Sequence, residues 1–435
     1  MLKRSIGILA LAALATACSK PEERLPGERI DIRDTISGYH NPRPANEARP
    51  ASLPAQSVNA EWTQPGGNAA HRLGNPALAR ALTPIWSASI GQGDSERRRI
   101  TAEPVVAGGR IYTLDAAMQV VATSTSGQTL WSKSVLPRSG AAGTRSGGGL
   151  ATADGRLYVT TAYGDLVALD AASGAELWRQ RFDAPAMGAP AVAGNRIYVV
   201  ARDSSAWALD TSGKVLWTLP GTPSISGVMG GSAPAVGEGM VIFPFASGNL
   251  IAVTQGSGAS LWEAAVAGKR VGRAWSGFTD ITSDPVIAGN TVYAGNQSGG
   301  TVALDARTGD ARWTAREGSY GPVAVSGNAV YLVNDEAKLV RLDSATGAPV
   351  WVRDLPFFVP QKEKRRAEIF VHYGPLLAGG RLLLVSSDGV IRSFDPASGT
   401  LIGSQELPDG AAAAPAIAGG TLYVVTRDGQ LRAFR

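Results

Sequence analysis

The pattern of apolar and polar positions repeats along most of the chain. In residues 189–200 and 414–425, two short apolar runs flank a Gly-Asn or a Gly-Gly pair. Such a pair between apolar runs is typical of a β-hairpin with a two-residue turn. The pattern opens at eight places, which are Pro104, Leu150 (in a weaker form), Pro190, Pro234, Pro285, Pro322, Pro375 and Pro415. The spacing therefore predicts eight related units.

Each unit continues with a second pair of apolar runs, which usually ends in a tryptophan. Residues 166–178 show this half most clearly, with Asp-Ala-Ala-Ser-Gly between the two runs. The tryptophans lie 38–51 residues apart, at Trp86, Trp131, Trp178, Trp217, Trp262, Trp313 and Trp351. Four short strands at this period are the signature of a β-propeller blade. The sequence therefore predicts an all-β, eight-bladed β-propeller of four-stranded antiparallel blades.

The two ends of the repeated region complement each other. The last unit stops at Arg435, after its third strand, whereas residues 84–88 form a fourth strand that belongs to no other unit. We expect this N-terminal strand to complete the C-terminal blade, which closes the ring and leaves no open edge between the first and last blades. Where the register would place an eighth tryptophan, the chain has Gly403.

The recurring side chains are predicted to be structural. Tryptophans at equivalent positions around a ring indicate packing in the seams between blades rather than ligand stacking. An aspartate recurs in the turn that precedes the last strand of a unit. We expect it to cap its own turn rather than to bind Ca²⁺. This residue is Asp170, Asp210, Asp305, Asp343 or Asp395.

The N-terminal residues have the pattern of an exported lipoprotein. Residues 1–17 carry a basic start and a short apolar stretch, which predicts a signal peptide. They end at Cys18, the only cysteine in the chain, in a sequence that resembles the bacterial lipobox. We therefore expect Cys18 to be lipidated, palmitate included, and to anchor the protein in a membrane. An ordinary leader followed by an unrelated cysteine is the alternative.

The chain is predicted to divide into a leader, a tether and one globular part. Residues 18–60 contain six prolines, mixed charges and little apolar periodicity. Such a segment cannot bury enough apolar surface to offset its ordering entropy, which predicts a flexible tether. Residues 61–435 then form the propeller.

Composition narrows the range of functions. The chain has 435 residues, 53 of them Gly, and a formal net charge of +5, which gives no electrostatic basis for nucleic-acid binding. A single cysteine rules out disulfides and thiolate metal sites within a monomer, and the three histidines show no metal-ligand spacing. The sequence shows no Ser-His-Asp set and no phosphate-binding loop. We therefore expect no catalysis, no cofactor and no metal.

The longest connections between units are candidate functional loops, because insertions beyond structural need tend to carry function. They follow Trp262 and Trp351, with 23 and 24 residues to the next opening proline. The first contains Trp275, which lies outside the repeated register beside arginines, a composition typical of interface hot spots. A local loop core is the alternative. The second contains a basic run at residues 362–366, which fits either a solvated loop or contact with an anionic surface.

A lipobox followed by eight tryptophan-marked units resembles the family of the outer-membrane protein assembly factor BamB. The resemblance implies a non-catalytic scaffold lipoprotein of the β-barrel assembly machine, anchored in the outer membrane and facing the periplasm. The implied partners are the POTRA domains of a BamA homologue, other subunits of the machine, and nascent outer-membrane proteins.

The family's docking surface maps onto two crossovers of this chain. Residues 230–234 match a Gly-x-Ser-Ala-Pro opening, and residues 278–286 match a stretch that leads into a Pro-Val opening. The family's arginine before the first opening is absent, and a threonine replaces the second aspartate of the other stretch. With the hot-spot tryptophan included, the predicted partner-binding residues are Ser226, Val228, Met229, Trp275, Phe278, Asp280 and Thr282.

Two other functions also fit the repeat. A quinoprotein dehydrogenase would hold pyrroloquinoline quinone and Ca²⁺ in its central channel, beside an acidic base. The chain lacks the adjacent cysteine pair and the long insertions typical of those enzymes. An exported propeller that binds another partner, such as a cell-wall polysaccharide, is the second alternative.

Overall fold

The computed structural model describes residues 44–72, 74–137, 146–222, 224, 230–266, 278–297, 299–360 and 362–435. These residues form 32 strands and two single-turn 3₁₀ helices, Pro65–Gly67 and Glu363–Arg365. In this part of the chain, no helix is long and apolar enough to cross a bilayer. The strands form eight four-stranded sheets, which confirms the predicted blades.

We number the strands along the chain from β1 (Pro84–Ser89) and the blades around the ring. Blade 1 consists of β2 Val105–Ala107, β3 Arg110–Leu114, β4 Gln119–Ser124 and β5 Thr129–Ser134. Blade 2 consists of β6 Gly148–Ala153, β7 Arg156–Thr161, β8 Asp165–Asp170 and β9 Glu176–Arg181. Blade 3 consists of β10 Ala191–Ala193, β11 Arg196–Val200, β12 Ser205–Asp210 and β13 Val215–Pro220. Blade 4 consists of β14 Ala235–Gly237, β15 Met240–Pro244, β16 Asn249–Thr254 and β17 Ser260–Ala265.

The second half of the ring has the same organisation. Blade 5 consists of β18 Val286–Ala288, β19 Thr291–Asn296, β20 Gly300–Asp305 and β21 Ala311–Ala315. Blade 6 consists of β22 Ala324–Ser326, β23 Ala329–Val333, β24 Lys338–Asp343 and β25 Pro349–Asp354. Blade 7 consists of β26 His372–Ala378, β27 Arg381–Ser386, β28 Val390–Phe394 and β29 Leu401–Glu406. Blade 8 consists of β30 Ala416–Ala418, β31 Thr421–Val425, β32 Gln430–Phe434 and the N-terminal β1.

The closure of the ring by β1 is confirmed. The strand pairs antiparallel with β32 from Pro84 opposite Phe434 to Ser89 opposite Gln430. Beyond the strands, the backbones of Thr83 and Arg435 exchange hydrogen bonds of 2.8 and 2.9 Å. The first and last strands of the repeated region therefore complete one sheet without a covalent turn between them.

Each tryptophan of the register packs on a glycine in the next blade. A Cβ atom added at Gly174 would lie 2.6 Å from the Trp131 ring, and one at Gly399 would lie 2.7 Å from the Trp351 ring. The same approach recurs at all seven positions, from Trp86 over Gly127 onward. The indole thus lies flat against a glycine, which has no side chain, in a turn of the next blade. This is the seam packing that the sequence predicts.

The absence of an eighth tryptophan follows from the way the ring closes. Gly403 lies in β29 opposite Ser393, which is the position that the tryptophans occupy in other blades. An indole there would face the third-to-fourth turn of blade 8. That blade has no such turn, because its last two strands come from opposite ends of the repeated region.

The recurring aspartates cap their own turns, as the sequence predicts. The Asp170 carboxylate accepts hydrogen bonds from the backbone N–H groups of Ala172 (3.2 Å) and Ser173 (2.8 Å). The Ser173 hydroxyl also donates to it, and this bond is the main cause that lowers the pKa of Asp170. Each of the other four aspartates accepts from the N–H two residues further on, as at Asp395. These carboxylates therefore hold the turns on which the indoles pack.

Residues 44–60 lie against the propeller, although the sequence places them in the tether. The Asn46 side chain accepts a hydrogen bond of 2.8 Å from the N–H of Val352, and the Asn59 carbonyl accepts one of 2.7 Å from Gly419. These carbonyl and amide groups pair with turns and strand edges that the repeat itself leaves unpaired. Arg43–Arg435 form one compact unit. The tether assigned to residues 18–43 lies outside the described residues and stays a prediction.

Candidate partner-docking surface

The loops of the propeller divide between two faces. Strand direction alternates within each antiparallel blade, so the first-to-second and third-to-fourth turns share one face, here called the turn face. The second-to-third turns and the connections between blades share the opposite face, here called the crossover face. Residues 230–234 and 278–284, which lead into β14 and β18, both belong to the crossover face.

These two crossovers are joined by hydrogen bonds. The Ser232 hydroxyl donates to the Ile281 carbonyl at 2.7 Å, and the Ala233 N–H donates to the Asp284 carboxylate at 2.7 Å. All four residues are buried. The structure thus brings together the two stretches that the sequence selected separately, and we call residues 230–234 and 278–284 the docking surface.

Three of the predicted partner-binding residues lie on this surface in different settings. Phe278 is 42 % exposed, whereas Asp280 and Thr282 are half-buried. The Thr282 hydroxyl donates to the carbonyl of Ser319 at 2.8 Å, in the next crossover. This bond holds the crossover in place, so Thr282 positions the surface while Phe278 presents an apolar ring to solvent.

The remaining predicted positions fall outside the described residues. These are Ser226, Val228 and Met229 in the first crossover, Trp275 in the second, and the lipidation site Cys18. They stay predictions. The structure describes the first crossover again from Gly230, which is two residues before Ser232, the first residue bonded to the second crossover.

Two acidic groups lie near each other at the docking surface, Asp284 within it and Glu103 next to Asp284. Burial raises the pKa of Asp284, against the opposing effects of His71 and of the Ala233 N–H. Burial also raises the pKa of Glu103 to about 8, and the nearby Asp284 adds to this shift, whereas the N–H of Gly66 opposes it. Burial therefore makes ionisation of both carboxyl groups less favourable than in water.

The raised pKa of Glu103 gives an expected pH dependence. The ordinary pKa is 4.5 and the folded value about 8, so folding takes up a proton between these values and stability falls as pH rises through this window. Glu103→Gln is therefore expected to raise the free energy of unfolding at pH 8, by on the order of 1–3 kcal/mol, and to change little near pH 4.5. Urea unfolding at both pH values measures this difference. Asp310→Asn, an exposed acid on the turn face, is the control, and an equal gain in both variants would contradict the assignment.

The second long crossover, between blades 6 and 7, has a small core of its own. The rings of Phe357 and Phe358 lie 4.3 Å apart, and the Arg366 guanidinium lies 4.9 Å from the Phe358 ring. Phe358 also forms an isolated β-bridge with Ile369. Lys364 and Arg365 are exposed beside this core. These two members of the basic run are therefore exposed to solvent beside a packed aromatic pair, and contact of the run with an anionic surface stays a prediction.

The described residues give no sign of a metal centre. They contain no group of three or more His, Cys, Asp or Glu placed to hold a metal ion. His372 is bonded through both ring nitrogens, to the Ser386 hydroxyl and the Pro356 carbonyl, each at 2.7 Å. Burial lowers the pKa of His372. This histidine thus has a structural role.

Sequence reasoning missed two residues before the first strand, Gln64 and His71, which bond to the chain at blades 3 and 5. Gln64 pairs with the backbone of Val192 through both its amide nitrogen and its amide oxygen, at 2.7 and 2.8 Å. A nitrogen of the His71 ring lies 2.8 Å from the Pro285 carbonyl, next to Asp284. The sequence contained one sign that this N-terminal segment contacts the blades. Arg341, which bonds to the carbonyls of Arg49 and Pro50, stands at the β24 position that is alanine in six of the other blades. Those alanines are Ala122, Ala168, Ala208, Ala252, Ala303 and Ala433.

Comparison with protein families decides the relationship of the chain. The sequence model of a family described as "Outer membrane protein assembly factor BamB" matches residues 116–353 and 362–435. The chain belongs to the BamB family. The match runs from blade 1 to the end of blade 8 and interrupts only at the second long crossover, so family membership rests on the repeated blades.

Curated BamB proteins match part of this length. BamB of Shewanella oneidensis is 28 % identical over 246 residues, which are 54 % of this chain and 61 % of that protein. BamB of Escherichia coli strain K12 is 25 % identical over 252 residues, 56 % of this chain and 64 % of that protein. The chain thus spans about three fifths of the length of the curated BamB relatives that it matches.

Solved structures show the same fold at low identity. BamB from Moraxella catarrhalis has a TM-score of 0.66 at 17 % identity and covers 82 % of this chain and 100 % of that one. A europium-containing methanol dehydrogenase has a TM-score of 0.67 at 15 % identity and covers 86 % of this chain and 98 % of that one. At these identities the likeness concerns the fold alone, which the Moraxella catarrhalis protein and the methanol dehydrogenase share.

Proposed function

We propose that this chain is a non-catalytic scaffold of the β-barrel assembly machine, which assists the insertion of outer-membrane proteins. Membership of the BamB family is the observation that carries this proposal, because the name of that family describes an assembly factor. The blades themselves account for most of the described residues, and the connections between them are short except at the two long crossovers. Function is therefore assigned to surfaces rather than to an internal site.

The docking surface is proposed to bind the POTRA domains of a BamA homologue. Its support is the pair of hydrogen bonds that fasten residues 232 and 233 to residues 281 and 284, together with the exposed ring of Phe278. An aromatic side chain on a rigid, hydrogen-bonded base has the character of an interface hot spot. The half-buried Asp280 lies two residues further along the same crossover.

We further propose that the protein is held at the outer membrane through lipid on Cys18 and faces the periplasm. The support is the lipobox-like end of the leader and the family to which the blades belong. Acylation at one residue with several chains exceeds the two signals that stable anchoring needs. Other subunits of the machine and nascent outer-membrane proteins are the further proposed partners.

Substitution on the docking surface is expected to weaken capture of the BamA homologue. Phe278→Asp places a charge where the proposal requires an apolar contact, and Asp280→Arg reverses the neighbouring charge. Each is expected to reduce co-purification of the BamA homologue from detergent-solubilised membranes at least tenfold, a loss of about 1.4 kcal/mol. Quantitative blotting of the captured partner measures the effect.

Two matched substitutions elsewhere on the propeller are the controls. Leu261→Asp changes a residue that is 48 % exposed on the outer strand of blade 4, and Asp310→Arg reverses a charge on the turn face. Both are expected to leave capture unchanged. Equal capture by the docking-surface variants and the controls would refute this surface as the site. Failure of the unmodified protein to capture the BamA homologue would refute the proposed function.

A further inference from the structure

We propose that residues 46–72 and 74–79 act as a single strap, which locks the eight blades together and holds the roots of the docking crossovers in place. The second part of this proposal rests on the proposed function, whereas the first does not. Among its described residues, the strap has one short helix and one internal bridge, the isolated parallel bridge between Ser57 and Pro76. Its organisation comes from its contacts with the blades.

The middle of the strap follows the ring from blade 8 to blade 3 in order. Asn59 bonds to Gly419 of blade 8, and Trp62 forms an antiparallel bridge with Val106 of blade 1. The carbonyl of Thr63 then accepts the N–H of Thr152 in blade 2 at 2.8 Å. In blade 3 the partner is the backbone of Val192, which pairs with the side chain of Gln64. The innermost strands would otherwise face the channel with these groups unpaired.

The path continues to blades 4 and 5, where the docking crossovers begin. The carbonyl of Ala69 accepts the N–H of Val236 at 2.6 Å, and the carbonyl of Ala70 accepts the N–H of Ile287 at 3.1 Å. His71 reaches the carbonyl of Pro285. Strands β14 and β18 are the strands into which the docking crossovers lead, so these three bonds fix the roots of that surface.

The two ends of the strap reach blades 6 and 7 and complete the set of eight. The Ser326 hydroxyl of blade 6 donates to the carbonyl of Ser52 at 2.9 Å. In blade 7 the N–H of Gly379 donates to the carbonyl of Pro76 at 2.8 Å, and the N–H of Gly380 donates to the Asn75 side chain at 3.0 Å. These glycines and Gly419 are first-to-second turns, which places the strap at the turn-face end of the channel.

Two buried arginines require the strap to remain in place. Arg341 is 0 % exposed, and its guanidinium donates to the carbonyls of Arg49 and Pro50. Arg381 is 2 % exposed and donates to the carbonyls of Leu78 and Ala79. If the strap left, these buried cations would lose backbone acceptors, which is costly in a poorly solvated site. The blades are therefore built around an occupied strap.

The strap also strengthens the seam that lacks a tryptophan. Trp62 and Leu78 of the strap are buried in one apolar cluster with Leu82 and with residues of blades 7, 8 and 1. The blade 7 to blade 8 seam has Gly403 in place of an indole and no covalent turn to receive one. The apolar side chains of Trp62 and Leu78 thus add contacts next to the blade in which the two ends of the repeated region meet without a covalent turn.

Release of the strap at blades 6 and 7 tests whether it acts as one unit. The full chain carrying Arg341→Met and Arg381→Met is compared with Arg392→Met, which removes an arginine of blade 7 paired with Asp388 and not with the strap. Amide hydrogen exchange is read at Val236 and Ile287, on blades that neither substitution touches. We expect exchange at these two amides to be at least tenfold faster in the double variant and unchanged in the Arg392→Met control.

Unchanged exchange at Val236 and Ile287 in the double variant would overturn the strap as a unit. If the double variant does not fold, the single variant His71→Asn decides, since asparagine tolerates the positive φ of 55° at this position but loses the imidazole. Faster exchange confined to Ile287 and its neighbours is then expected, and no change would overturn the proposal. Exchange needs no partner. If the unmodified protein fails to capture the BamA homologue, that result contradicts the proposed function but does not contradict the proposal of the strap.

Discussion

Replacing Trp351 with alanine is expected to lower the free energy of unfolding by about 3–5 kcal/mol, the range for truncation of a large buried aromatic side chain. Trp351 is 0 % exposed and lies flat on Gly399 of the next blade. Its ring is 6.0 Å from that of Tyr331, and the Arg353 guanidinium lies 5.6 Å from it. Truncation would therefore open a cavity in a seam whose walls are strands of two different blades.

Urea unfolding followed by circular dichroism measures the loss, and Trp86→Ala is the matched comparison. Trp86 packs on Gly127 in the same way but is partly exposed, and its indole N–H donates to the Thr125 carbonyl at 2.9 Å. Less apolar surface is lost from the interior there, so we expect a smaller shift of the unfolding midpoint. Equal shifts would mean that burial does not govern the strength of the seam.

The ring could be predicted from sequence because every part of it recurs. Apolar alternation, a glycine turn and a tryptophan repeat with nearly constant spacing, and each copy corrects the reading of the others. Ring closure could be predicted by counting strands. The strand that contains Trp86 has no first three strands before it, and the last unit, which ends at Arg435, has no fourth strand. The reason for Gly403 in place of a tryptophan could not be predicted by counting. In blade 8 the turn that an indole would cover is absent, and backbone hydrogen bonds between Thr83 and Arg435 stand in its place.

The strap could not be predicted for the opposite reason. Each of its contacts occurs once, and most use backbone carbonyls, such as those of Ala69 and Ala70, that any sequence would provide. Its proline-rich start has the composition of a flexible tether, which would have no fixed hydrogen-bonding partners. The sequence therefore does not indicate the partners that the structure shows. Arg341 was the exception, because a charged residue at a position of small apolar residues indicates an unusual neighbour.

The docking surface falls between these two cases. The stretches at 230–234 and 278–284 could be selected from the resemblance and from the length of one crossover. Their direct connection could not, because the Ser232 hydroxyl and the Ile281 carbonyl are ordinary groups whose pairing depends on the angle between blades 4 and 5. The choice of these loops as the docking surface therefore stays a proposal, whereas the structure shows how their described residues are held together.

A glycine substitution in blade 5 separates the packing of the seams from the strain of their turns. Gly309 has a φ of +76°, and a Cβ atom there would lie 2.8 Å from the Trp262 ring. Gly289 has a φ of +58° in the same blade, with nothing within 4 Å of such an atom. Alanine at either position adopts a left-handed backbone at a cost of roughly 1–2 kcal/mol, but only Gly309→Ala also forces an indole away from its seat.

Overpacking of this kind adds about 1–3 kcal/mol, so Gly309→Ala is expected to lower the free energy of unfolding by about 2–5 kcal/mol in total, and Gly289→Ala by about 1–2 kcal/mol. The two unfolding midpoints, measured in urea under one condition, give the difference directly. Because both turns belong to one blade and both glycines have positive φ, that difference isolates the contact between Trp262 of blade 4 and the turn of blade 5. Coincident midpoints would show that the indole moves aside without cost, and the seam would then depend on apolar burial rather than on the close fit of ring and glycine.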